Sequence, residues 1–445
     1  MKRFAIIVGL VAAALVSTAQ AAERFALPQF KTSYVRPLTE VPPARPGVYE
    51  FVDIGALLVA LAAASYLAIK MRSRRGLWWL ALGSLLYFGF WRGGCVCSIG
   101  AIQNVALAVA DSTYVVPLAV LAFFILPLVF TLFFGRTFCA AVCPLGAIQD
   151  LVIARPVKVP AYLEHALGLL GYVYLGAAVL FAATGSAFII CEYDPFVSFF
   201  RLVPFQRPGD TMQAINGSTN MLLVGAGFLA AGLFIARPYC RWLCPLGAVL
   251  RLLGLASKWR VTITPDECVQ CRLCEDSCPF GAIRRPTRDE PHAPRLLDRR
   301  RLATLIVVVP IVLAGSGVLG GWLGPTMARM HYTVRVADRV RMEETGRVAG
   351  TDDMSEAFYA TKQPRETLYA DARDVEHTFV IGGWLLGAWV GLVIALKLIQ
   401  LSVRRTRNDW EPDRGTCVSC GRCFEFCPVE RDRLKKKPLS GKAPA

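Results

Sequence analysis

This chain concentrates its reactive chemistry in cysteine, which it carries 15 times, mostly in tight and repeated groups. "CVQCRLCEDSCP" supplies Cys268, Cys271, Cys274 and Cys278 ahead of Pro279, and "CVSCGRCFEFCP" supplies Cys417, Cys420, Cys423 and Cys427 ahead of Pro428. Each is a full C-x2-C-x2-C-x3-C-P run. In that spacing the first three thiolates wrap one corner of a [4Fe–4S] cube and the fourth reaches the neighbouring cluster. The rule pairs Cys268, Cys271, Cys274 and Cys427 around one cluster, and Cys417, Cys420, Cys423 and Cys278 around the other. Zinc, which also favours paired C-x2-C units, is the alternative.

Two further pairs, Cys139/Cys143 in "CAAVCPLGAIQD" and Cys240/Cys244 in "CRWLCPLGAV", share a C-x3-C-P core followed by Leu-Gly-Ala. Spacing of i, i+4 puts two thiols on one face of a helix, and the proline opens a turn or a new helix. Together the pairs offer four thiolates, enough for a third [4Fe–4S] cluster. A structural role for each as a small buried side chain is the alternative. "CVCSIGAIQN" is an altered version of the same stretch: Cys95 lies two residues before Cys97, and Ser98 replaces the proline. With Cys191 these are the remaining cysteines. They read as an outer-face redox site, against the alternatives of a disulfide in an oxidising compartment and a decayed repeat.

The elements that must position these groups are membrane helices. The chain is 55% hydrophobic with mean hydropathy +0.45, beyond what a soluble chain of 445 residues carries. Residues 1–21 have Lys2 and Arg3, an apolar core and Ala19-Gln20-Ala21, the pattern of a secretory signal peptide. Seven apolar segments follow, near 54–69, 77–91, 115–134, 166–190, 221–236, 302–324 and 378–399. An outside start and seven crossings leave the C-terminus inside. The loops then assigned inside hold 32 Lys and Arg against 15 acids, and those outside 15 against 17. That is the positive-inside distribution, and it accounts for the net charge of +16 without nucleic acid. The fold class expected is an all-α polytopic protein of the bacterial inner membrane with a cytoplasmic dicluster ferredoxin-like module.

The domains follow in order. A signal peptide (1–21) and a short periplasmic segment (22–50) precede a transmembrane core (51–260) carrying the C-x3-C-P motifs. The first ferredoxin half (261–301) is separated from the second half and basic tail (402–445) by a transmembrane hairpin (302–401). Two crossings return the chain to its starting side, so the halves can meet. The hairpin carries an outside segment, 325–377, readable as a docking surface or a packed cap. Segment 99–110 is short and apolar, as in an interfacial or re-entrant helix. "GSGVLG" from Gly315 matches a dinucleotide-binding pattern but sits inside a span, where small residues serve helix packing. The histidines, His165, His292, His331 and His377, form no facing pair within the membrane, so no haem is expected. No catalytic residues emerge.

Two C-x3-C-P pairs, two ferredoxin runs and a polytopic core resemble the membrane polyferredoxins of the NosR/NirI and NapH kind, and "CEYDPF" from Cys191 resembles NosR/NirI more. The resemblance implies electron delivery across the inner membrane to periplasmic systems or, for NapH, quinol oxidation. The NosR-like flavin domain and its S-G-A-T motif are missing from the sequence, so FMN is expected only on a partner. The function expected is electron transfer between cytoplasmic clusters and a periplasmic, flavin-binding acceptor, fed by a cytoplasmic donor or the quinol pool. A quinol dehydrogenase subunit and a redox-sensing regulatory or assembly protein are the alternatives.

Overall fold

The structure is a computed structural model that describes residues 47–94, 97–201, 210–263, 268–287, 295–402, 407 and 409–436. The signal-like start, Cys95, His292 and the end of the basic tail lie outside the described residues.

Each of the seven apolar segments forms a helix. Four helices are long and apolar enough to cross a membrane: Gly47–Met71, Ala161–Ala183, Arg299–Ala328 and Arg365–Ser402. The others are shorter, among them Leu118–Phe134 and Thr219–Gly232, and Arg74–Ser84, which continues as a π turn over Leu85–Trp91. The fourth apolar segment is interrupted. Its helix ends at Ala183, Thr184 Oγ1 donates back to Leu180 O at 3.0 Å, and Gly185 turns the chain with φ +67°. Cys191 therefore sits in a separate short helix, Ile189–Glu192, rather than at the end of the span.

The bundle has two distinct ends. At one, the buried Asp53 accepts from Arg92 Nη2 at 2.7 Å and from Tyr87 Oη at 2.8 Å. The 189–195 stretch shares a cavity there with Met330. At the other, Arg72 pairs with Glu430 at 2.7 Å and donates to Thr262 O at 2.7 Å, which ties the helix ends to the two cysteine-rich segments.

The hairpin helices Arg295–Ala328 and Arg365–Ser402 pack along their length. A Cβ on Gly320 would strike the Gly383 carbonyl, and one on Gly387 the Ser316 carbonyl. Small residues let two backbones approach this closely, which is how helices gain packing energy when lipid is the alternative neighbour. "GSGVLG" is thus a packing surface. Between the helices the chain folds as a cap of two helices, Tyr332–Glu344 and Asp353–Ala360. Val334, Val336, Ala337 and Val340 are buried, and Asp352 and Ser355 form a reciprocal capping box. His331 is structural: its Nδ1 accepts from Thr333 N at 3.2 Å.

The two ferredoxin-like segments do meet. Strand β1 (Ile283–Arg284) pairs antiparallel with β2 (Glu411–Pro412), Ile283 opposite Pro412. Trp410 Nε1 donates to Gln270 Oε1 at 2.6 Å, and Asp413 N donates to Ala282 O at 2.7 Å.

Candidate metal centres

The two cysteine runs adopt the same backbone path. Gln270 and Arg272 lie in the left-handed region (φ 53° and 62°), and so do Ser419 and Gly421 (φ 55° and 79°) at the matching positions. This pair of left-handed residues bends the loop so that the thiols of C-x2-C-x2-C face one point. A short helix follows each loop, Leu273–Ser277 and Arg422–Phe426. Cys278 and Cys427 end these helices in extended conformation ahead of Pro279 and Pro428. The fourth cysteine of each run is thereby carried to the opposite loop. Cys274 lies near enough to Cys268, Cys271 and Cys427, and Cys423 to Cys417, Cys420 and Cys278, for their charges to act on it.

The C-x3-C-P pairs are neighbours: Cys139 and Cys240 line one cavity. Their local geometry differs from the expectation of two thiols on one helical face. Cys139 is in the short helix Thr137–Ala141, while Cys143 is extended (φ −70°, ψ 116°) and precedes a new helix, Pro144–Leu151. Cys240 lies in a π turn, Tyr239–Leu243, and Cys244 precedes Pro245–Leu255 in the same extended state. The prolines explain the break. Proline disfavours the helical state of the residue before it and is well tolerated at the first helical position.

Gly247 N donates to Cys244 Sγ at 3.3 Å. In all three turns a glycine follows the cysteine by three residues, Gly100, Gly146 and Gly247. The backbone bond that starts each helix is also shared: Ala101 N to Cys97 O at 3.1 Å, Ala147 N to Cys143 O at 3.0 Å, and Ala248 N to Cys244 O at 3.1 Å. "CVCSIGAIQN" is therefore the same turn, intact from Cys97 onward. Cys191 joins it from elsewhere, its Sγ only 3.0 Å from where a Cβ on Gly100 would sit. Cys97 also feels Cys191 and the buried Asp194.

Arginines surround the C-x3-C-P set. Arg136, Arg237, Arg241 and Arg251 line one cavity with Cys139 and Cys240. Arg136 and Arg237 are buried, 3% and 2% exposed. Arg237 is held by Asp150 through bonds of 2.8 and 2.6 Å and donates across the repeat to Cys139 O. Arg136 donates to Gly415 O at 3.2 Å and approaches Cys139 Sγ at 3.6 Å. Gln149 Nε2 donates to Cys240 Sγ at 3.2 Å. Sequence spacing gives no hint of these arginines beyond their position before each pair, although the shared "GAIQ" marks Gln149 and Gln103.

This environment fits [4Fe–4S] clusters. Burial pushes the Cys274 thiol up to about 11 and Cys417 up to about 12, so these thiols ionise at neutral pH only against a strong cation such as iron. A tetrathiolate cluster is anionic, and the arginine cavity with the buried, unpartnered Nε atoms of Arg136 and Arg251 offers the compensating charge. N–H donors to sulfur complete the match.

The chain is mainly helical, with four helices long and apolar enough to cross a membrane and two cysteine-rich segments that pair. Comparisons point to iron–sulfur binding. A 4Fe-4S binding domain family matches residues 116–160 and 218–263, which hold the C-x3-C-P pairs, and a second 4Fe-4S binding domain family matches residues 261–284. Protein NirI of Paracoccus denitrificans is 34% identical over 137 residues, 29% of this chain and 18% of NirI. An uncharacterized protein of Methanocaldococcus jannaschii, MJ0750, is 28% identical over 195 residues, 44% of this chain and 77% of that protein. The putative electron transport protein YccM of Escherichia coli is 29% identical over 86 residues, 19% of this chain and 24% of YccM. The chain thus spans less than a fifth of NirI. No solved structure matches it. These matches make the chain similar to 4Fe-4S binding proteins over the segments that carry its C-x3-C-P pairs and its first C-x2-C-x2-C-x3-C-P run.

Proposed function

We propose that the chain carries electrons across the bacterial inner membrane, between cytoplasmic [4Fe–4S] clusters and a periplasmic acceptor. Cys268, Cys271, Cys274 and Cys427 hold the first cluster; Cys417, Cys420, Cys423 and Cys278 hold the second; Cys139, Cys143, Cys240 and Cys244 hold the third. Cys97 and Cys191, with Cys95 outside the described residues, form the outermost redox site. The observation that supports this reading is that cysteines of different sets share surroundings. Cys139 packs against the same small apolar cluster (Ala236, Phe280, Ala282, Val418) as Cys278, Cys417 and Cys420. Cys143 and Cys97 line a common cavity with Leu57, Phe88 and Phe123. On the sequence alone, most of a ~30 Å layer separates the inner and outer cysteines. The shared cavity supports a shorter path between them.

In this reading the N-terminus faces the periplasm and the C-terminus the cytoplasm, as the charge bias of the loops supports. The acceptor is a periplasmic electron-transfer protein, flavin-bearing as the NosR resemblance implies, and the printed description of YccM as a putative electron transport protein agrees. Iron and sulfide analysis with EPR on anaerobically purified protein tests the core of it. Three cubane sets require about 12 iron atoms in addition to any outer site. Stoichiometric zinc, or about 8 irons with Cys139, Cys143, Cys240 and Cys244 open to alkylation, would refute it.

One observation favours quinol oxidation as a second reading. An apolar cavity of about 360 Å³ is lined by Tyr174, Phe181, Phe228, Tyr239 and Leu243, and the buried Tyr239 hydroxyl has no partner among the described residues. Its size suits a quinol ring, and Tyr239 directly precedes Cys240. Cluster reduction by quinol without any partner protein supports this reading; no reduction removes it.

A further inference from the structure

The two cysteine-rich loops are alike in sequence and backbone but not in surroundings. Each begins Cys-Val, so Val269 and Val418 stand at matching positions. Val418 is 8% exposed, whereas Val269 is 64% exposed. The difference extends around each loop. Helix ends of the bundle cover the second one: Arg74 Nη1 donates to Cys420 O at 3.0 Å, and Arg136 Nη1 to Gly415 O at 3.2 Å. Ser419 and Phe424 are buried there. Around the first loop, large apolar side chains face outward instead. Leu273, which precedes Cys274, is exposed, and so is Phe426, which precedes Cys427. Cys271 itself is exposed.

Val269, Leu273 and Phe426 adjoin members of one thiol set, since Cys274 lies near enough to Cys268, Cys271 and Cys427 for their charges to act on it. Exposed apolar side chains grouped in this way mark interaction surfaces. An aromatic with aliphatic neighbours and a polar rim is the make-up of a small, transient interface. The helix ends bind the second loop, so a soluble partner rather than lipid suits the first. The charges indicate its sign. Two acids of the first run are already matched, Glu275 by Arg285 at 2.8 Å and Asp276 by Lys158 at 2.7 Å. Arg272, Arg431 and Arg433 are exposed, against Glu425 and Asp432. The loops assigned inside hold 32 Lys and Arg against 15 acids. A partner of complementary charge is acidic.

Resting on the cluster reading above, we infer that this patch docks a soluble, acidic, one-electron carrier protein that feeds the centre held by Cys268, Cys271, Cys274 and Cys427. One electron leaves the reduced carrier and enters the oxidised centre; no bond forms and no proton moves. The shielded second set then stands between this entry point and Cys139, which packs with Cys278, Cys417 and Cys420. The two loops divide the work: one meets the partner and the other meets the bundle.

Fully reduced flavodoxin, an acidic flavin carrier whose colour changes when it loses one electron, is the probe. Full-length, anaerobically purified protein in nanodiscs should be reduced at a rate that saturates with flavodoxin and falls roughly tenfold from low to high salt. Arg272→Glu and Phe426→Ser should each slow reduction roughly tenfold at low salt. The Arg272→Glu deficit should shrink at high salt, where the charge is screened. Iron content and EPR of the same samples keep the two levels apart. Ferredoxin-like centres missing from wild type refute the cluster reading; intact centres with rates unmoved by both substitutions overturn the docking patch. Because either variant could fold poorly, wild-type protein supplies an independent test. Hydrogen exchange should slow in peptides covering 268–276 and 423–431 when oxidised flavodoxin is added. No protection there overturns the inference, as does protection that follows this chain's own concentration and so marks a second copy as the occupant.

Discussion

Arg237→Leu isolates the buried ion pair behind the C-x3-C-P set. The guanidinium is 2% exposed and the Asp150 side chain 9%, so water screens neither. Removing one partner of such a pair leaves a charge buried and costs about 3–5 kcal/mol. Arg74, 3.9 Å from Asp150, offsets part of that penalty, so the lower bound of about 3 kcal/mol is the better expectation. The carbonyls of Cys139 and Ala140 also lose their donor, at roughly 1 kcal/mol each. Arg237→Leu/Asp150→Leu removes the stranded carboxylate and should recover most of the ~3 kcal/mol, since apolar replacement of a whole buried pair is often neutral. Equilibrium unfolding in mixed detergent and SDS, followed by tryptophan fluorescence, should thus separate single from double variant by roughly a hundredfold in the folding constant. Iron analysis adds a second reading: the single variant should lose the C-x3-C-P centre before the ferredoxin-like centres. If single and double variants unfold alike, the pair is not electrostatically isolated and this reasoning fails.

Other outcomes follow from the same geometry. Arg241→Ala removes donors to Pro279 O (3.3 Å) and Phe280 O (3.2 Å), so limited proteolysis near Arg285 should accelerate roughly tenfold. An unchanged cleavage rate would show that the cysteine-rich segments dock without it. Gly320→Leu drives a side chain into the Gly383 carbonyl, and overpacking of this kind costs about 1–3 kcal/mol or more. Because the hairpin joins the two ferredoxin-like halves, iron should be lost from both crossed sets together, and loss from neither would contradict the coupling. Reporter enzymes fused after residues 350 and 440 should be active outside and inside, respectively; the reverse pattern overturns the orientation.

The sequence carries much of this architecture because two of its signals are nearly unambiguous. Apolar runs of membrane length have few alternatives to a helix, and C-x2-C-x2-C-x3-C-P imposes a crossed ligand set whatever lies between its two copies. What escaped notice depends on contacts rather than spacing. The left-handed residues that shape each loop include Gln270, Arg272 and Ser419, side chains that give no hint of positive φ; only Gly421 does. Arg136 and Arg237 each stand three residues before a C-x3-C-P pair, with nothing in the spacing to mark them as buried. Burial against anionic groups from another repeat, such as Asp150 for Arg237, leaves no periodic trace in the chain. The break at Ala183 depends on one glycine in a long apolar segment, a residue equally at home in a helix that continues.

The substitutions that make "CVCSIGAIQN" look damaged are the ones its geometry tolerates. Proline at the first helical position is favoured because its missing N–H is one that a helix start leaves unbonded anyway. Ser98 can stand there without disturbing the bond from Ala101 N to Cys97 O. The glycine three residues after the cysteine is not similarly replaceable, since it leaves room for a neighbour. A Cβ there would lie 3.3 Å from Cys139 O at Gly146 and 3.2 Å from Cys240 O at Gly247, the first cysteine of each pair. At Gly100 the neighbour is Cys191 Sγ, delivered by another segment. The altered spacing thus goes with a neighbour supplied from elsewhere in the fold, and the turn that receives it has kept its shape.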